Sequence, residues 1–327
     1  MKLTYQISEL VPYINWPYFF FAWQVKEASE KQRLQAEAES VLAELEGRYH
    51  AYALFELFDA CSDGDDIMVY SGDRRQETGD RSQETGVRRQ ETGVRRQETG
   101  VRSQETGVRS QESGDRRIPC LRQQQAGSDY LCLSDFIAPL NISLTSHLSS
   151  LTSHLSPLTS HLLPLTSQIG LFATSVDIGM ETDFEHDAYQ KMMVQLLADR
   201  LAEAAAERMH EQVRKVYWGY AKNEQLSIAD MLVEKFQGIR PAVGYPSLPD
   251  TSLNFVLDEL LDMKQIGIRL TESGAMKPHA SVSGLMIANP RARYFSIGKI
   301  GEDQLHDYAR RRGIPIELCR KFLAGNL

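Results

Sequence analysis

Little in this chain suits a metal centre, a disulfide scaffold or a membrane span. Its 327 residues include four cysteines, Cys61, Cys120, Cys132 and Cys319, and none stands in a CxxC pair. That spacing fits neither a zinc site nor a disulfide framework, and it points to reduced thiols in a cytoplasmic protein. No run approaches the ~20 consecutive apolar residues that a membrane-spanning helix needs. The aromatic run from Tyr18 to Trp23 is short, follows Asn15 and Pro17, and lacks both the basic lead and the cleavage site of a signal peptide.

Basic charge is scarce as well. The chain carries 36 basic and 44 acidic residues; setting aside the 11 Arg and nine acids of the repeat tract 73–117 leaves 25 against 35. An acidic body without a basic stripe argues against nucleic acid as the main partner. No G-x-G-x-x-G follows a strand pattern, no P-loop is present, and no Ser-His-Asp or Cys-His order stands out.

What the chain has in excess is repetition. Residues 72–117 repeat the heptapeptide RRQETGV or RSQETGV. A coiled coil needs two apolar positions per heptad, and here Val87, Val94, Val101 and Val108 supply one, each after a glycine that costs a helix ~1 kcal/mol. The tract reads as a mostly disordered polar loop. A second heptad tract over 143–168, rich in Ser, Thr and Leu, carries His147, His154 and His161. Their spacing raises a metal reading, but Pro157 and Pro164 interrupt any rigid ligand face. Both tracts read as expansions inserted into surface loops, where insertions are best tolerated. Without these 46 and 26 residues, 255 remain, the size of one sizeable domain spanning 1–327.

The body mixes helix and strand patterns. Residues 27–49 are rich in helix formers, and Met193, Leu197, Leu201, Ala204, Met209 and Val213 mark a long amphipathic helix from Asp187. Ser227 caps a second helix over 227–236, with Asp230 completing a capping box, and 251–267, 302–313 and 315–327 also read as helices. Strands are expected at 52–60, 65–70, 130–139, 169–177 and 268–273, and at 281–288 paired with 293–300 across Asn289–Pro290. No regular βαβ alternation appears, so the expected fold is α+β: a mixed, largely antiparallel central sheet flanked by helices.

One loop carries unusual chemistry. In GIRPAVGYPSLPD, residues 238–250, Arg240 stands among Pro241, Pro246, Pro249 and Gly244. A shaped loop with a lone guanidinium suits a carboxylate or phosphate clamp; a surface turn with a solvated Arg is the plainer alternative on this stretch alone. His210 and His306 read as surface residues. His279, in a Pro- and Ser-rich loop, is a fairer catalytic candidate, although a structural role suits it too.

Four segments then fall into a pattern: LADRLAEAAAERMHEQVRKVYWGYAKNEQLS, FQGIRPAVGYPSLPD, LTESGAMKPHASVSGLMIANP and YFSIGKIGEDQLHDYARRRG. They closely resemble the C-terminal activation domain of cobalamin-dependent methionine synthase. ELVPYINW, GDDIMVY, LRQQ, CLSDFIAP and IGLFA fit the same family in the same order, so the resemblance covers nearly everything outside the repeat tracts. It implies a domain that binds S-adenosylmethionine, in which Arg240, Gly244 and Tyr245 match the R-x-x-x-G-Y of the binding site and Arg240 clamps the ligand carboxylate. Tyr294 and Phe295 match a second binding segment on the adenine side, where strand packing alone is the other reading. Glu203 matches a family Glu near the site, and a solvated helix face would explain it equally.

Two departures stand out. Asn15 replaces the family's common Asp, which meets the ligand ammonium, and Asp250–Asn254 replaces a His-Thr-Glu-Lys run. The Asp-x-His-x-x-Gly motif of the cobalamin module is absent. The expectation is a free-standing activation domain and a component rather than a complete enzyme. In the family this domain presents S-adenosylmethionine to cob(II)alamin while a flavodoxin-type donor supplies an electron. Cobalamin would therefore come only through a partner, a cobalamin-bearing methionine synthase subunit. The alternatives are a self-sufficient S-adenosylmethionine-dependent methyltransferase acting on a small acceptor, or a decayed copy.

Overall fold

The structure, a computed structural model, describes residues 1–70, 116–139 and 168–327. The two repeat tracts lie almost wholly outside these residues. Their described ends lie in strands: Arg116 and Arg117 open β4 (Arg116–Pro119), and Gln168 opens β5 (Gln168–Val176).

The expected antiparallel sheet is present. Strand β2 (Ala51–Asp63) is its spine, alternating between two buried faces as a 13-residue strand covered on both sides must. On one side its first half pairs with β1 (Lys2–Tyr5) and its second half with β3 (Asp66–Tyr70), and β4 follows β3. On the other side β5 pairs with β2 from Asp59↔Gln168 to Ala51↔Val176, and β8 (Ser281–Met286) closes the sheet against β5. A separate two-stranded ribbon joins β6 (Arg269–Leu270) to β7 (Met276–Lys277), all that forms of the strand expected over 268–273.

Each sheet face packs its own apolar layer. Phe55, Phe172, Val176 and Met286 face the long helix Ala188–Gln212 and the helix Ala28–Leu45. Leu54, Leu171, Ala173 and Leu285 face the opposite way, against the helix Leu253–Leu261. The Thr174 hydroxyl donates to the Ala202 carbonyl at 2.9 Å, pinning the long helix to β5. A third cluster joins the helices Glu302–Arg312 and Ile316–Phe322 through Leu305, Tyr308, Cys319 and Leu323.

Most local expectations hold. Asp187 caps the long helix through the amides of Tyr189 and Gln190, and Ser227 and Asp230 form the expected capping box. That second helix, however, is a single turn, Ile228–Leu232, after which Glu234 takes a left-handed φ of 60°. Residues 130–139 form a 3₁₀ turn, Leu133–Phe136, rather than a strand. Residues 293–300 form no strand; their place on β8 is taken by the Arg240 segment. His210 is fully buried, against the surface position expected for it. All four cysteines are buried and none is in a disulfide. Among the described residues no helix is long and apolar enough to cross a membrane.

Candidate functional site

The free edge of β8 binds residues 239–243 as a short added strand. The Ile239 amide donates to the Ile287 carbonyl at 3.0 Å and the Ile287 amide returns to Ile239 at 2.9 Å. The Leu285 amide donates to Pro241 at 3.0 Å and the Val243 amide to Ser283 at 2.9 Å. Pro241 lacks an amide hydrogen, but at an edge only its carbonyl is required. Glycine at 284 permits the approach: a Cβ there would lie 2.3 Å from the Pro241 carbonyl oxygen. Past Val243, Gly244 turns the chain at φ 88°, its amide donates to the Leu248 carbonyl at 2.8 Å, and Tyr245 is left half exposed on the turn.

This ladder holds Arg240 over the long helix and above the Phe172 ring, whose centroid is 5.9 Å from the guanidinium carbon. The backbone amide of Arg240 donates to the Tyr294 hydroxyl at 2.8 Å. Burial raises the Tyr294 phenol to about 12, so it stays neutral as an acceptor through the ordinary pH range. The Ser247 hydroxyl donates to the Phe295 carbonyl at 2.5 Å, and the Ile297 amide donates to Pro246 at 2.9 Å. The segment 294–297 is therefore tied to the Arg240 loop rather than to β8.

Together these elements enclose a cavity of about 630 Å³, the right order for a small-molecule ligand. Asn15, Glu203, Arg240, Tyr245, Tyr294 and Phe295 all line it, so six of the seven expected site residues meet in one place. Gly244 does not line it; its contribution is the turn that presents Tyr245. His279 lies elsewhere, exposed, its ring 3.5 Å from the Asp199 carboxylate.

The cavity also holds residues that the sequence reading missed: Arg200 and Glu207, which flank the expected Glu203 on the polar face of the long helix, with Tyr18 and Glu234 at other walls. Arg200 donates to Glu203 at 2.7 Å and lies 6.0 Å from the Tyr18 ring centroid. Burial raises the carboxyls of Glu203 and Glu234 above the ordinary carboxylate range, against the pull of neighbouring arginines. The helical spacing of Arg200, Glu203 and Glu207 was visible in the sequence; the left-handed backbone that aims Glu234 was not.

Arg240 is not free to wander. Its Nη2 donates to Glu207 Oε1 at 2.5 Å, with the two side chains only 13% and 17% exposed. The other end of each group, Arg240 Nη1 and Glu207 Oε2, is buried without a hydrogen-bond partner. Below the pair, Arg214 donates to His210 Nδ1 at 3.0 Å and to Glu224 at 2.6 Å, and both Arg214 and His210 pack on Phe236. Because a guanidinium only donates, Nδ1 accepts and His210 is the Nε2–H tautomer, facing the Tyr220 hydroxyl at 3.3 Å. Burial and the charges of Arg240 and Arg214 hold His210 well below its ordinary pKa. The network braces the loop that carries Arg240.

Among the described residues no group of three or more His, Cys, Asp or Glu side chains is placed to hold a metal ion. His147, His154 and His161 lie outside the described residues. The cavity wall combines a paired guanidinium, three carboxyls and aromatic side chains.

The family described as the vitamin B12 dependent methionine synthase, activation domain, matches residues 6–313. A solved structure, the crystal structure of the MetH reactivation domain bound to AdoHcy, superimposes with a TM-score of 0.75 at 34% identity, covering 100% of this chain and 90% of that one. With its antiparallel sheet, its Arg240 ladder and this extent of match, the chain belongs to the family of vitamin B12-dependent methionine synthase activation domains.

Proposed function

We propose that the cavity binds S-adenosylmethionine and that the chain serves reductive methylation, and so reactivation, of cob(II)alamin. The observation that carries this reading is Arg240: a guanidinium held at 2.5 Å by Glu207 and set in the wall of a cavity of ligand size. An α-carboxylate is the group that such a fork accepts best. Tyr294 and Phe295 offer ring faces and backbone groups to the adenosine end, and Asn15, Tyr245 and Glu203 line the remaining walls. The carboxyls of Glu203 and Glu234 suit the positive sulfonium. The solved relative bound to AdoHcy, the demethylated form of the same ligand, supports the assignment.

The methyl acceptor lies outside the chain in this reading. Cobalamin would be brought by a cobalamin-bearing methionine synthase partner, and the electron by a flavodoxin-type donor. The chain's own residues bind and orient the methyl donor and leave its methyl group presented at the mouth of the cavity.

Calorimetric titration of the whole chain with S-adenosylmethionine tests the site. Saturable binding that Arg240→Ala abolishes is the expected result; no binding by folded wild-type protein would overturn it. Methyl transfer measured with and without a cobalamin-loaded methionine synthase tests the role. Turnover of a small acceptor by the chain alone would favour the self-sufficient methyltransferase instead.

A further inference from the structure

Two of the four cysteines meet away from the cavity. Cys120 and Cys132, twelve positions apart, stand at the two ends of a hairpin in which Arg122 pairs antiparallel with Cys132. The Cys120 amide and the Cys132 thiol both donate to one oxygen, the Asp65 carbonyl, at 3.0 and 3.7 Å. The two thiols also hydrogen-bond each other, which brings their sulfurs into contact. The bond from Cys120, and with it the Ser134 hydroxyl at 3.2 Å, outweighs burial and brings the Cys132 thiol below its ordinary pKa. Cys61 instead meets the Tyr70 hydroxyl at 3.0 Å, and Cys319 packs among the C-terminal helices.

Both sulfurs of the pair are buried, yet the hairpin tip between them is not. Residues 124–127, 129 and 130 are exposed, and Gly127 and Tyr130 turn the chain at positive φ. A tip with so few buried contacts opens locally at far lower cost than the sheet beneath it.

We propose that Cys120 and Cys132 are a redox-active dithiol, closed to a disulfide by hydrogen peroxide as the hairpin tip opens and reopened by a small thiol. Cys132, as the thiolate, attacks one peroxide oxygen. The O–O bond breaks, hydroxide leaves and takes up the thiol's proton as water, and Cys132 becomes a sulfenic acid. The Cys120 sulfur then attacks Cys132, the S–O bond breaks, and a second water leaves with the Cys120 proton. Two sulfurs are oxidised and the peroxide is reduced to two waters. The ring so closed contains Gln123 and Gln124, which bind the Ser296 carbonyl at 2.8 Å and the Gly301 amide at 2.6 Å. Those bonds anchor the segment that runs on from Phe295 in the cavity wall, so the disulfide stiffens that wall from behind.

The test treats the whole folded chain with hydrogen peroxide, then denatures it, alkylates the free thiols and maps the peptides by mass. The expected product is a Cys120–Cys132 link that dithiothreitol removes, with Cys61 and Cys319 alkylated. In Cys120→Ala the sulfenic acid of Cys132 persists and is trapped by dimedone; in Cys132→Ala, Cys120 takes up little of the probe. Hydrogen exchange over residues 121–131 should slow by about tenfold or more in the oxidised chain, because closing a short loop removes open states. Four free thiols after treatment, a link to Cys61 or Cys319, or a link that forms only in urea overturns the proposal. Equal dimedone labelling of the two variants overturns the role of Cys132 as attacking thiol, and unchanged exchange overturns the clasp. The wild-type map decides the pairing whether or not either variant folds.

Discussion

Arg240 and Glu207, 33 positions apart, meet in a 2.5 Å ion pair that is almost sealed from solvent yet leaves one polar atom unpaired on each side. A pair built only for stability would satisfy every donor and acceptor, since burying charge is costly unless it is fully paired. The bracing of the Arg240 backbone by Tyr294 and the cavity that both residues of the pair line put this ion pair at the centre of the site.

Removing the guanidinium is expected to do two things. Arg240→Ala strands the Glu207 carboxylate in a poorly hydrated place and should destabilise the fold by about 3 kcal/mol in urea unfolding. Arg240→Lys should fold nearly normally, because a positive charge remains, yet still lose S-adenosylmethionine affinity by at least about tenfold, as a point charge cannot serve Glu207 and a carboxylate together. Wild-type affinity in the Lys variant would contradict the clamp.

Gly284 provides a test of the scaffold away from any ligand contact. A Cβ at this position meets the Pro241 carbonyl oxygen at 2.3 Å and the Ala242 Cα at 2.8 Å. Gly284→Ala should push the 239–243 segment off β8, costing roughly 1–3 kcal/mol. It should also weaken ligand binding, although residue 284 does not line the cavity. A variant of normal stability and affinity would show that the ladder does not hold Arg240 in place.

The carboxyls that line the cavity, Glu203 and Glu234, make binding depend on pH. Burial raises the folded-state pKa of Glu203 and Glu234 above the ordinary value of 4.5. For acids raised in this way, folding stability is greatest below the unfolded-state pKa and falls as pH rises from there through the folded-state pKa. A cationic sulfonium pulls the other way, favouring the ionised carboxyls. S-adenosylmethionine binding should therefore strengthen with rising pH across that window and release protons, as read by titration in buffers of different ionisation enthalpy. The uncharged thioether of S-adenosylhomocysteine should release fewer.

His210 sets an acid limit. Its folded-state pKa lies well below the ordinary 6.5, first through burial and then through Arg240 and Arg214. The unfolded chain takes up a proton near 6.5 that the folded chain refuses, so stability is lost as pH falls below that value. The loss is about 1.4 kcal/mol per pH unit until the folded-state pKa is reached. His210→Gln should lower stability at neutral pH but remove this part of the acid slope in thermal melts between pH 6.5 and 5. An unchanged slope would place the acid sensitivity elsewhere.

Much of the site was legible from residues. Arg240 in its proline-stiffened loop, Tyr245, Tyr294, Phe295, Asn15 and Glu203 were all marked in the sequence, and all line one cavity. Glu207 was not marked, because a Glu on a polar helix face reads as solvated until something covers that face. His210 misled for the same reason: its position in a helix says nothing of Phe236 and Arg214 closing over it.

The sequence by itself determined the elements whose signals are local. The long helix follows from its apolar repeat and the Asp187 cap, and β2, β3 and β5 follow from apolar runs bounded by turn residues. Only the tertiary structure decided which backbone covers the edge of β8. Residues 293–300 have a strand-like pattern, yet the position went to 239–243, because Gly284 leaves room there for Pro241 and the loop's free carbonyls and amides match those of β8. Periodicity records which residues seek burial, but the choice among competing partners is made by steric fit and by the hydrogen bonds left unmet. That choice carried Arg240 to Glu207 and made the cavity.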